Sequence, residues 1–132
     1  MSDSMGTIRI EVAFANPVLP GRRASLQGVL VDTGSVLSWF PAAVLELLRI
    51  DRAKELRFQQ ANGTILTRSV GFAIIHAAGT QTIDQVVFGE PSDLVLLGAH
   101  SLGGLNLRVD PVARKLVDAG PMPAAVAAAV AA

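Results

Sequence analysis

Val29-Leu30-Val31-Asp32-Thr33-Gly34-Ser35 carries one carboxylate to the end of an apolar run and drops it into a tight turn. An ionised acid placed after three apolar residues is costly to hold unless donors satisfy its charge. Thr33, Gly34 and Ser35 offer such donors: two hydroxyls, a row of backbone amides, and a glycine that lets the chain fold back without a side chain in the way. A carboxylate held like this can take up or deliver a proton for a bound molecule. The same residues also read as an ordinary hairpin turn, since Asp and Gly are common turn formers. The surrounding elements decide between the two.

Those elements are mostly strands. Ile8, Ile10, Val12 and Phe14 alternate with Arg9, Glu11 and Ala13, the period of a half-buried strand. Residues 16–23 form a loop with two prolines and a glycine, and residues 24–31 return as the strand that ends at Asp32. Residues 36–40 predict a short third strand. Pro41 then fits the first position of a short helix whose apolar face is Val44, Leu45, Leu47 and Leu48, ending near Ile50.

Beyond the helix the period returns to two. Leu56 and Phe58 lead into Ala61-Asn62-Gly63, and Asn-Gly is a strong hairpin signal. Residues 65–75 follow as a long strand, in which Gly71 suggests a bend or bulge. Ala78-Gly79 turns the chain into a strand holding Ile83, Val86, Val87 and Phe88. After a loop at residues 90–93, the apolar run Leu94-Val95-Leu96-Leu97 reads as a buried central strand that stops at Gly98. A helical turn over 101–105 and a hairpin around Asp110-Pro111 complete the pattern. Many short strands with one or two short helices predict an all-β, closed antiparallel barrel.

Composition narrows the function. The chain has 132 residues and a formal net charge of zero, enough for one domain with one core. Residues 1–120 read as that domain, and residues 121–132 as an Ala-rich tail expected to be a loose chain end. No basic block exists to displace counterions, which argues against nucleic acid as a partner. There is no cysteine, hence no disulfide and no thiolate metal site. No apolar stretch reaches the roughly 20 residues of a membrane helix, and no signal peptide is visible. A soluble, cytoplasmic protein without membrane attachment is expected. His76 and His100 lack the spacing of a metal set, so no cofactor is expected. Trp39 either packs in the core or lines a pocket beside the Asp32 turn.

Taken together, the pattern resembles the retropepsin-like aspartic proteases, the single-domain form found in retroviruses and in cellular and bacterial relatives. The likeness rests on Val31-Asp32-Thr33-Gly34-Ser35, the Ala61-Asn62-Gly63 hairpin where that family places its flap, and Leu96-Leu97-Gly98, which matches its apolar-apolar-Gly element. It runs from about Ala24 to Val117. Ala99-His100 stand where the retroviral enzymes usually carry a bracing arginine, and the flap tip is poorer in glycine; the chain looks closer to the bacterial-type relatives.

The resemblance implies an endopeptidase that cleaves a peptide or protein substrate with a water activated by two carboxylates sharing a proton, one acting as base and the other as acid. No other Asp in this chain is followed by Ser or Thr and then Gly. The resemblance therefore implies a homodimer with one Asp32 from each chain on a two-fold axis. Thr33 would then bond across the axis, Gly34 would allow close backbone approach, and Ser35 could donate to the Asp32 carboxylate. Ser35, Ala61, Asn62, Gly63, Leu97 and Gly98 would contact substrate. A binding or dimerisation module of the same fold, without hydrolysis, is the alternative.

Overall fold

The computed structural model describes residues 7–125, and among them the chain forms nine strands and two short helices. The expected tail lies outside the described residues from position 126 onward. β1 (Arg9–Ala15) pairs with β2 (Arg23–Asp32), which lies beside β7 (Leu96–Gly98). The ring continues through β3 (Ser38–Pro41), β6 (Thr80–Gly89) and β5 (Ile65–Ala77), which returns to β1. This closes a six-stranded β-barrel. β4 (Lys54–Gln59) pairs only with the first part of β5, outside the ring. β8 (Leu107–Asp110) and β9 (Lys115–Asp118) form a separate hairpin.

The barrel is mixed, which corrects the antiparallel expectation. β2 and β7 run parallel, as do β3 and β6. The reason is topological. The Asp32 turn reverses the chain between β2 and β3, and β7 slots between these two strands. A strand inserted there must be parallel to one neighbour and antiparallel to the other. Hairpin signals in a sequence report only local antiparallel pairs.

Alternation sets the core. Val12, Phe14, Val29, Phe40, Ile75, Val86, Phe88 and Leu97 point inward and are buried, and Phe14 stacks on Phe40 with ring centroids 4.5 Å apart. α1 (Ala42–Leu47) adds Leu45 to that core. Pro41 ends β3 in an extended conformation (φ −58°, ψ 130°), so the helix starts one residue later than expected, at Ala42. The carbonyls of Leu48 and Arg49, just past the helix, accept hydrogen bonds from the buried Asn16 side chain at 3.1 and 2.8 Å, which satisfies groups that the helix leaves open. α2 (Ala99–Gly104) closes one end of the barrel with Ser101 and Leu102 buried.

β5 has no break at Gly71; its ladder with β6 runs continuously from Val70 to Ala77. Glycine is needed there for a different reason, because a Cβ would collide with the Asp51 carbonyl oxygen. The apolar run 94–97 also divides. Leu96 and Leu97 are buried strand residues, whereas Leu94 precedes the strand and is 68% exposed.

Candidate active site

Asp32 is the last residue of β2, in register with Gly98 of β7. The turn that follows is held from three sides. The Ser35 amide donates to the Asp32 carbonyl at 3.2 Å, and the Gly34 amide donates to Asp32 Oδ1 at 2.9 Å. The carbonyls of Ser35 and Val36 accept the amides of Ala99 and His100 at 2.7 and 3.0 Å, which pins the turn to the start of α2. A Cβ at Gly34 would lie 3.2 Å from Asp32 Oδ1, so the close approach of that amide favours glycine. The Gly34 amide is the only hydrogen bond to the Asp32 side chain among the described residues.

Ser35 differs from expectation. Its hydroxyl donates to the Leu37 carbonyl at 2.8 Å, so its one proton is not directed at Asp32. The tight path from Ser35 to Leu37 offers that carbonyl as the nearer acceptor. Ser35 tightens the turn instead of supporting the charge.

Asp32 opens onto a cleft of about 670 Å³. Leu37 and Trp39 form its base, Phe58 and Leu66 one wall, and Ser92, Asp93 and Leu94 the other. Trp39 packs edge-on against Phe58 at 5.0 Å, so the tryptophan both lines the cleft and anchors the wall above it. That wall is a two-stranded arm. Ile65 to Ser69 pair only with β4, and Leu56, Phe58 and Leu66 share the face turned toward the cleft, as period two requires. Ala61 reaches the cleft from the arm's tip, with Asn62 and Gly63 just beyond it and away from the lining. The tip is a longer turn than a two-residue Asn-Gly hairpin. The Gly63 amide bonds to the Gln60 carbonyl, and Gly63 takes a positive φ of 88° that glycine adopts without strain.

Of the other expected contacts, Ser35 lines this cleft, whereas Leu97 and Gly98 do not. Leu97 is fully buried in the barrel core, because β7 turns that side chain inward. Gly98 packs against the Leu37 carbonyl and does not line the cleft. Thr33 is exposed beside the cleft and does not line it.

Asp93 is the second carboxylate in the cleft, and it is fully engaged. Arg68 donates to both of its oxygens, at 2.7 and 3.0 Å, and the Glu90 amide adds a bond of 2.7 Å. The guanidinium hydrogen bond is the main cause that lowers the Asp93 pKa; the Glu90 amide helps and burial opposes it. The pair joins β5, at the base of the arm, to the opposite wall. Because the folded-state pKa is depressed, the pair stabilises the fold above the unfolded value of about 4 and ceases to as pH falls through the folded one. Arg68→Ala should cost about 2 kcal/mol at pH 7, less than a fully buried pair because the cleft admits water. In urea unfolding across a pH series, the gap to the unsubstituted protein should close below about pH 4. A gap that stays constant with pH would show that Arg68 acts through packing alone.

Sequence reasoning missed one polar cluster. Asp84, Ser38 and Ser101 are buried and hydrogen-bonded in series, with His100 at the rim. Period two within β6 and β3 could have found it, since Asp84 shares a face with Val86 and Phe88, and Ser38 with Phe40. His76 lies apart on the barrel exterior against Arg23, where burial and then the guanidinium charge lower its pKa. Among the described residues no cluster of three or more His, Asp or Glu side chains could hold a metal ion. No helix there is long and apolar enough to cross a membrane. No protein-family model matches the chain, and no curated protein matches it.

Proposed function

We propose that the protein is an aspartic endopeptidase of the retropepsin-like type, active as a homodimer. The observation that carries this reading is Asp32 itself. It is held by a single amide at the mouth of an apolar-walled cleft, while the other carboxylate in that cleft is tied up by Arg68. One chain thus offers one uncommitted acid, and hydrolysis by a shared proton needs two. A second chain related by two-fold symmetry would supply the other. Exposure of Thr33 beside Asp32 supports such a junction, because a hydroxyl there can bond to its symmetry mate.

In this mechanism the two carboxylates share one proton, since close like charges separate their pKa values. The ionised one takes a proton from the attacking water and the protonated one delivers its own to the peptide carbonyl. The apolar walls, Trp39, Phe58, Leu66 and Leu94, would take apolar side chains on either side of the scissile bond. The arm from β4 to β5 would close over the bound strand, with Ala61 nearest to it.

Activity and association should track each other. Sedimentation over a concentration series is expected to show a monomer–dimer equilibrium, with hydrolysis of an apolar peptide library rising in step with dimer. Full specific activity in a strictly monomeric population would refute the shared site. Peptide binding without any hydrolysis would favour the alternative, a binding module that keeps the cleft.

A further inference from the structure

We propose that Asp84, Ser101 and Ser38 are positioning residues for Asp32, acting through a chain of hydrogen bonds with one fixed polarity. The proposal rests on the reading of Asp32 as a catalytic acid. Asp84 is 5% exposed on the inner face of β6, where an uncompensated carboxylate would be very costly. Three donors compensate it. The Gln85 amide and His100 Nδ1 each lie 2.7 Å from Oδ1, and the Ser101 hydroxyl lies 2.7 Å from Oδ2. An ionised carboxylate only accepts, so both the histidine nitrogen and the serine must be donors.

That requirement propagates. With its proton committed to Asp84, Ser101 Oγ can only accept from Ser38 Oγ, 2.6 Å away. Ser38 Oγ in turn accepts the buried Gly98 amide at 2.9 Å. The chain from the Gly98 amide through Ser38 and Ser101 to Asp84 therefore points all its protons toward the buried charge, an arrangement in which each bond polarises the next. Gly98 is the register partner of Asp32, and the next two amides, of Ala99 and His100, hold the carbonyls of Ser35 and Val36. The buried charge on β6 thus locks the β7–α2 junction on which the Asp32 turn sits. A displacement of about 1 Å at a reacting group can cost about a hundredfold in rate, so this lock sets catalytic geometry without touching substrate.

Ser38→Ala and Ser101→Ala should each lower kcat by about tenfold or more with KM changed less than about threefold, and the double variant should lose less than the product of the two, as links of one chain do. Amide hydrogen exchange supplies a readout independent of catalysis. The amides of Ala99 and His100 should exchange about tenfold faster in each variant, while those of the β8–β9 hairpin stay unchanged. Should either serine variant fail to fold, Asp84→Asn keeps the shape. Its amide would donate to Ser101, reversing the chain and leaving the Ser38 proton without an acceptor, with the same expected selective exchange. Unchanged exchange at Ala99 and His100, uniform acceleration across the protein, or strictly multiplicative kcat losses would overturn the proposal. If the unsubstituted protein hydrolyses no peptide, the protease reading fails on that result alone, and the exchange pattern still decides the lock.

Discussion

Asp32→Asn should reduce peptide hydrolysis by at least about a thousandfold while leaving the unfolding midpoint nearly unchanged. On the proposed mechanism the rate effect follows from removing the group that would move the proton, for which acid–base catalysis sets a scale of about 10²–10⁴. The small effect on stability follows from the local contacts. Asparagine retains an Oδ1 that can accept the Gly34 amide at the same place, so the turn keeps its bond and loses only charge. The substitution also tests where the second acid comes from. If the proposed dimer holds the site, mixing excess Asp32→Asn chains with unsubstituted protein should extinguish activity in proportion to the heterodimers formed, because each mixed site would have one carboxylate instead of two. Activity that survives a large excess, in a population shown by sedimentation to exchange subunits, would place the whole site within one chain. Turnover retained by the pure variant would remove Asp32 from the mechanism altogether.

The elements that position Asp32 are largely legible in the sequence because each is a local pattern. Alternation in residues 8–14, the Asn-Gly tip at residues 62–63 and the Ala78-Gly79 turn report short-range geometry, and the structure has a strand at the first and chain reversals between paired strands at the other two. Ala78 and Gly79 both take positive φ, 51° and 80°, as a two-residue hairpin turn demands. The parallel pairs are not legible, because β7 meets β2 only after more than sixty intervening residues, and nothing local encodes that meeting. The role of Ser35 is hidden for a related reason. A serine after Asp-Thr-Gly has several carbonyls within reach, and only the folded path of the turn selects Leu37. Asp84 escapes notice because Ile83 beside it looks like the inward residue. The register turns Ile83 outward, 63% exposed, and buries the acid. Glycines are ambiguous in the same way: Gly71 and Gly98 serve close approach, which a sequence does not distinguish from a bend.

Gly98→Ala should be among the most damaging single substitutions available in this protein, costing more than about 3 kcal/mol or preventing folding. Its Cβ would collide with the Leu37 carbonyl oxygen, and would lie 2.6 Å from that carbonyl's carbon and 2.9 Å from the Ser35 carbonyl oxygen. These are backbone atoms of the Asp32 turn, already committed to bonds from Ser35 Oγ and the Ala99 amide, so the obstruction does not yield to a rotamer change. Overpacking against movable side chains costs about 1–3 kcal/mol, and immovable backbone on the same side raises that. Gly103 gives the internal control. It lies in α2, five residues further on, where a Cβ would meet nothing within 4 Å and the backbone has no positive φ. Gly103→Ala should be neutral or gain up to about 1 kcal/mol from helix propensity and a less flexible unfolded chain. Urea unfolding of both variants separates close approach from a general intolerance of side chains near α2. A Gly98→Ala protein as stable as the parent would mean that β7 does not press against the turn, and that the Asp32 carboxylate is not held from beneath.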